Sequence, residues 1–538
     1  MQHQGRLGNL TPEKPTDFCP QTEPLNPKAH ADLERRLALD FQDSGYKHKA
    51  YDALSGAIQV PTESYDDLGP VGEDERWETF GQLHEYLEKT FPNVFEKLQV
   101  TKVNTYGIVL RWKGSDESLR PVLMTAHQDV VPVEPATVDQ WIHPPYSGHF
   151  DGEWIWGRGS CDDKSDLVAS LHAIDALLKH GFEPKRTFVW AYGFDEEAAG
   201  TEGAGHIATY LEQQYGTHGF ELMLDEGGSY GTPYGDDVVF AVPALSEKGY
   251  LDIRIEVSTK GGHSSVPPKH TAIGILSSMI VAVEENPHEP ELVRGGSPYN
   301  STMCAAVFGP SYPSHIRKLA LKAGYGDDEA LHDLRDALLE TFPRFEAILR
   351  TTQAVDLVQG GVKVNALPEK VSAVVNHRIA EHSSVRELQK HMTDTILPIA
   401  KKYDLSVDAF GVSVSAGSGQ GGRVALSDAW GTALEPSPVT PTGKDDPYQI
   451  LAGTIKATIE SSEGYNAKGI VVAPLLAIGN TDTRYYWNVT KNIFRYHHLH
   501  ENDRYNGAHT VNEAVRAEGW IESIRFYTKF VLNVDENL

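Results

Sequence analysis

Three times between residues 121 and 228 an apolar run of this chain stops abruptly in acidic or imidazole side chains, and that pattern limits the folds open to it. The stretch PVLMTAHQDVVPV (121–133) reads as a short buried strand over 121–125, followed by His127 and Asp129 two positions apart. Strand alternation sets those two side chains on one side. FVWAYGFDEEAAG (188–200) ends in Asp195, Glu196 and Glu197, and FELMLDEGG (220–228) ends in Asp225 and Glu226. WGRGSCDDKSD (156–166) supplies Asp162 and Asp163 after a glycine-rich turn. In an open α/β sheet, ligands gather beyond the carboxyl ends of the strands, so these groups are expected to converge on one rim.

The spacing between the clusters supports that layout. DLVASLHAIDALLKHG carries Leu167, Leu171, Ile174 and Leu178 on one face, with Gly181 as a stop signal, and a strand follows at once. This strand–helix–strand rhythm predicts an α/β fold, a mixed, mostly parallel sheet flanked by helices. HADLERRLALDF and ERWETFGQLHEYLEKTF carry earlier helices. Near residue 245 the texture changes: in YLDIRIEV, Leu251, Ile253, Ile255 and Val257 alternate with charged residues, which marks a sheet with one face in solvent. VSAVVNHRI (371–379) matches it and precedes a helix with Leu388, Met392 and Ile396 on one stripe. Residues 245–412 are therefore expected to form an inserted α+β domain, a small antiparallel sheet with helices on one face and a helical elaboration over about 285–355. Residues 1–30 read as an extended or disordered lead-in, 31–244 and 413–538 as the two parts of the main domain, and SAGSGQGG (415–422) as a linker.

Composition narrows the function. With 48 basic and 75 acidic residues in 538 the chain carries −27, the wrong sign for a nucleic-acid reader. No run of 18 apolar residues is present, so nothing in the sequence spans a bilayer as a helix, and the polar, proline-rich first 30 residues lack the apolar centre of a signal peptide. Cys19, Cys161 and Cys304 are too few for a disulfide framework, and Cys161 reads as a small buried thiol. Sequons at Asn9, Asn300 and Asn488 are compatible with a secretory lumen.

Two divalent cations held by mixed nitrogen and carboxylate donors need about four ligands each, with one bridging carboxylate. His127, Asp162, Glu197 and Asp225 offer one imidazole and three carboxylates, so a further histidine is expected from the far part of the chain. His509 in GAHTVNEA and the cluster His497, His498 and His500 both answer that description, and spacing leaves the choice open.

The ordered strings HQDVVPV, GRGSCDDK, DEEAAG, LDEGG, KGGHSS, GGVKVNALP, TDTRYY and HTVNE resemble the dizinc aminoacylase and carboxypeptidase family over about residues 45–530, most closely its carboxypeptidase S (Gly-X carboxypeptidase) branch. The resemblance selects His509. It implies two Zn2+ ions, with Co2+ or Mn2+ fitting the same donors. It makes His127 and Glu197 terminal ligands and Asp162 the bridge. Asp225 and His509 complete the spheres, with Glu226 as the alternative to Asp225. It further implies that Asp129 orients His127, that the Asp162–Asp163 peptide is cis, and that Glu196 is the general base acting on a metal-bridging water. The inserted domain becomes a lid whose His263 stabilises the oxyanion, while Asn365, Arg378 and Arg484 grip the substrate carboxylate. The implied activity is a metal-dependent exopeptidase acting on short Gly-X peptides, with an N-acyl amino acid hydrolase as the alternative. A binding protein that keeps the fold without catalysis is disfavoured because every ligand and base position is filled. Monomer and lid-mediated dimer both remain, since the helical elaboration lengthens a lid that pairs edge to edge in simpler relatives. The vacuolar lumen or secretion is the expected location, with the branch's amino-terminal membrane anchor missing from this sequence.

Overall fold

The computed structural model describes residues 14–414, 417–463 and 465–538. Its centre is a ten-stranded sheet. Phe188–Gly193, Val122–His127, Leu222–Gly231 and Ile493–His500 lie side by side and parallel in its middle. Gln99–Val103 and Gly107–Trp112 close one edge antiparallel. Every residue of Val122–His127 and of Phe188–Gly193 is buried, because helices cover both faces. Ser44–Ile58, Lys164–Lys179 and Ala517–Asn537 pack on one face, and Ala204–Tyr215 on the other. That double cover is why these strands are uniformly apolar rather than alternating.

Ser44–Ile58 carries no continuous amphipathic stripe, since its first turns are largely exposed while residues 50–58 are buried nearly all round. Asp43 starts it by accepting from Tyr46 N at 2.9 Å. At Gly56 the Tyr86 ring sits so close that a Cβ would fall 2.2 Å from its hydroxyl, so the glycine is a packing requirement.

The lid is a second, six-stranded sheet ordered Thr352–Gly360, Lys370–Ile379, Gly249–Ser258, Gly422–Asp428, Leu405–Ala409 and Val412–Val414. Leu251, Ile253, Ile255 and Val257 are buried in the lid core together with residues of helices Ala272–Glu285 and Val385–Lys402. Two expectations change here. Gly422–Asp428 pairs with Gly249–Ser258, so the insertion runs past residue 412, and the serine- and glycine-rich stretch joins two strands of one sheet. Leu405–Ala409 runs parallel to Gly422–Asp428, which makes the sheet mixed.

The helical elaboration spans Ser297–Phe308, Ser314–Gly324, Asp328–Thr341 and Phe345–Leu349. Its first helix packs against Leu475–Ala477 of the main sheet and against the amino-terminal segment. There Cys19 and Cys304, 285 positions apart, form a disulfide that their number and spacing did not announce, whereas Cys161 is buried and free as expected. Residues 1–13 of the expected lead-in lie outside the described residues. Beyond them the segment is a fastened strap: Gln21 exchanges hydrogen bonds with the Val472 backbone at 3.0 and 2.9 Å, and Leu25 N donates to Gly453 O at 2.9 Å. Among the described residues no helix is long and apolar enough to cross a membrane.

Candidate metal centre

Each acidic cluster is delivered by a strand end or by the turn next to one. His127 closes Val122–His127, and its Nδ1 lies 3.2 Å from Asp129 Oδ1 and 3.0 Å from the Asp129 carbonyl, which fixes the ring and leaves Nε2 facing the rim. Asp129 does more than orient one ring. Its two oxygens accept from Ser64 Oγ at 2.6 Å and from the Glu196 and Glu197 backbone amides at 3.1 and 3.0 Å, so one buried carboxylate sets both the imidazole and the acidic turn. Asp195 caps the following segment by accepting from the amides of Glu202 and Gly203, both at 2.7 Å.

The Asp162 turn is held by Glu513, a fully buried residue that accepts from the Gly159 and Cys161 amides at 3.0 and 2.9 Å and from Arg158 at 2.6 Å. Glu513 thus ties the loop carrying His509 to the turn carrying Asp162. His509 has φ 62°, a left-handed conformation uncommon outside glycine and found where surroundings impose it. The Asp162–Asp163 peptide is cis, as the resemblance implies.

Three groupings result. His127 Nε2 lies 2.9 Å from Asp162 Oδ1 and 3.5 Å from Glu226 Oε1. His509 Nε2 lies 2.9 Å from Glu197 Oε1 and 3.3 Å from Asp162 Oδ2. Asp162 therefore presents one oxygen to each imidazole, and Glu196 joins a third grouping with His127 and Glu197. Asp225 belongs to none of these: its Oδ1 accepts from Thr125 Oγ at 2.6 Å, while the neighbouring Glu226 stands with His127 and Asp162. His497, His498 and His500 sit in Ile493–His500, away from these groupings.

So many carboxylates in little water demand positive charge. Burial alone would push the His127 imidazole down, yet Glu226, Asp129 and Asp162 hold it well above its usual value. Hydrogen bonds that Asp162 and Glu197 accept from its ring push His509 up to about 10. Burial, then the neighbouring Asp482, Glu197 and Asp162, pushes the Glu196 carboxyl well up. Carboxylates and imidazole nitrogens at these spacings are donors that could hold divalent cations.

The remaining predicted residues are elsewhere. His263 is exposed on a two-stranded arm, Gly262–His263 against Ala366–Leu367, with Ser265 Oγ 2.8 Å from its Nδ1. Asn365 is exposed on the same arm, its carbonyl accepting from Ser264 N at 3.3 Å. Arg378 lies in the lid, donating to Asn480 Oδ1 at 2.8 Å with its guanidinium 4.8 Å from the centre of the Tyr250 ring. Arg484 donates to the Ala199 carbonyl at 2.7 Å, which makes it a brace of the 196–200 turn rather than a free guanidinium. Ser64, Asn480 and Glu513 were not singled out from sequence. Only Glu513 left a trace, as the last letter of HTVNE.

Comparison with known proteins agrees with this geometry. The profile of "Peptidase family M20/M25/M40" matches residues 123–533. Carboxypeptidase S of Saccharomyces cerevisiae is 38% identical over 525 residues, covering 96% of this chain and 89% of that protein. The N-fatty-acyl-amino acid synthase/hydrolase PM20D1 of Mus musculus is 32% identical, covering 90% of this chain and 87% of that protein. The crystal structure of an M20 family metallo-carboxypeptidase from Sulfolobus solfataricus superposes with a TM-score of 0.58 at 16% identity, covering 90% of this chain and 99% of that one. Human carnosine dipeptidase 1 also gives 0.58, at 14% identity, covering 95% and 100%. At those identities the two structures speak for a shared fold alone. The chain itself, by the extent of the profile match and the level of identity to its relatives, belongs to peptidase family M20/M25/M40.

Proposed function

We propose that this protein is a metal-dependent carboxypeptidase that removes the carboxyl-terminal residue of short Gly-X-type peptides. The observation that carries the reading is Asp162, whose two oxygens each face a different imidazole, the geometry of a carboxylate shared by two cations. His127 and Glu226 would hold one cation with Asp162, and Glu197 and His509 would hold the other. Glu226 takes this role in place of Asp225, and zinc is the first candidate, with cobalt or manganese fitting the same donors. Bound there, the pair supplies Lewis acidity that acidifies the attacking water and polarises the scissile carbonyl.

The chain's own residues do the rest. Glu196, not engaged by His509, accepts the proton of the water and passes it to the leaving amine. Asp129 keeps His127 and the Glu196–Glu197 turn in register. His263 stabilises the oxyanion, and its exposed arm leaves it free to reach a substrate when a lid closes. Arg378, steered by Asn480 and Tyr250, takes the substrate's terminal carboxylate with Asn365.

The second reading, hydrolysis of N-acyl amino acids, is favoured by the likeness to PM20D1. Both reactions cleave an amide beside a free carboxylate and differ in the acyl-side pocket. Turnover of benzyloxycarbonyl-Gly-Leu against a long-chain acyl-Phe separates them. Chelation should abolish activity, and Glu196→Ala should cut kcat by about 10²–10⁴. Hydrolysis of neither substrate, or unchanged turnover in Glu196→Ala, refutes the proposal.

A vacuolar or secreted location is supported by the Cys19–Cys304 disulfide, since such bonds persist in oxidising compartments. Asn488 is exposed and open to glycosylation, whereas the Asn300 amide is engaged with the Gly295 carbonyl at 3.0 Å.

A further inference from the structure

Beneath the rim lies another group of donors that the proposed reaction does not use. Asp163 and Asp166 flank the start of helix Lys164–Lys179, and His497 comes from the neighbouring strand Ile493–His500. All three are buried, at 1%, 0% and 3% exposure, and their donor atoms lie within 4.8 Å of one another. His497 Nδ1 is 2.8 Å from Asp166 Oδ2, much the same spacing as the 2.9 Å between His127 and Asp162 at the rim. Asp163 Oδ2 accepts from the His127 backbone amide at 3.3 Å. Asp163 Oδ1, both Asp166 oxygens, His497 Nε2 and Ser165 Oγ meet no hydrogen-bond partner in acceptable geometry, although the Tyr527 hydroxyl also abuts Asp166.

Among the described residues no lysine or arginine pairs with either carboxylate. Buried oxygens and a ring nitrogen left without partners are costly in a region closed to water. Here they come from three side chains whose donor atoms converge on one point, and a divalent cation at that point would satisfy them together.

We propose that Asp163, Asp166 and His497 form a third cation site, buried and structural, for a divalent ion of the zinc or manganese type. It joins the turn carrying Asp162, the first turn of helix Lys164–Lys179 and the strand Ile493–His500, and so fixes the floor on which the rim centre stands. This proposal does not rest on the identity of the substrate.

The test is zinc content per chain. The full-length protein is loaded with Zn2+, freed of excess, and assayed by elemental analysis before and after brief exposure to EDTA. Wild type should hold three equivalents and keep one after chelation, because the buried ion exchanges slowly. Asp166→Asn and His497→Gln, with folding checked by circular dichroism, should hold two and keep none. Anomalous diffraction at the zinc edge should place a peak between Asp166 and His497 in wild-type crystals, a readout that stands even if a variant does not fold. Complete stripping of wild type, identical zinc content in folded variants, or no anomalous peak would each overturn the site and leave a carboxyl pair held by a shared proton.

Discussion

Asp225 and Glu226 differ by one position, and in a strand one position is a change of face. Asp225 turns to Thr125 and Glu226 to His127, so the adjacent acids have separate tasks. Glu226→Gln should release metal and lower kcat/KM by more than about 10²-fold, whereas Asp225→Asn should cost about 10–100-fold, the range typical of groups outside the coordination sphere. Metal content and kinetics of the two purified variants decide it, and the reverse ranking would restore Asp225. His172 offers a test of electrostatics away from the rim. It is packed against Phe91, Tyr46 and Trp520, its Nε2 has no partner, and burial pushes it down to about 4. The folded chain therefore refuses a proton that the unfolded chain accepts below about 6.5. Its contribution is full above that pH and fades as pH falls toward 4. Relative to His172→Gln, wild type should lose about 3 kcal/mol across that window in urea unfolding, and a pH-independent difference would contradict the value.

At the scale of elements, the strap and the helical insert behave as one clamp. The insert is sewn to the main domain through the Cys19–Cys304 bond and through Lys248, whose buried ammonium donates to the carbonyls of Ala347 and Arg350 at 2.8 and 2.6 Å. A bond closing so long a loop restricts the unfolded chain strongly. Cys304→Ser should lower stability by about 2–5 kcal/mol and expose the strap to limited proteolysis, with the cleavage site mapped by mass spectrometry. An unchanged melting temperature and protease pattern would mean that the strap is held by its hydrogen bonds alone. The elements that spacing revealed are those with one wet face, such as Gly249–Ser258 and Val385–Lys402. Ser44–Ile58 escaped because a helix exposed over its first turns and enclosed over its last ones has no continuous stripe to detect.

Over the whole molecule, the insert packs back on the main domain and leaves the outer edge of the lid uncovered. Among the described residues Thr352–Gly360 pairs only with Lys370–Ile379, and Leu357 and Val358 are exposed along it. Val266, Val362 and Val364 stand exposed on the arm beside His263. An unpaired apolar edge invites another strand, and a second copy of the lid would supply one. Sedimentation equilibrium should find a dimer that Val358→Lys together with Leu357→Pro converts to monomers; a wild-type monomer would rule the pairing out. Much of this protein was legible in its letters. Apolar runs ending in acids determined a parallel sheet with a loaded rim, and the break in texture near residue 245 determined an inserted domain, because periodicity records which faces meet water. Three matters waited for the tertiary structure: the turning of Glu226 to His127 and of Asp225 to Thr125, the placing of Gly422–Asp428 in the lid, and the joining of Cys19 to Cys304. Each depends on which distant backbone lies alongside, and contacts between positions hundreds of residues apart leave no local period to read.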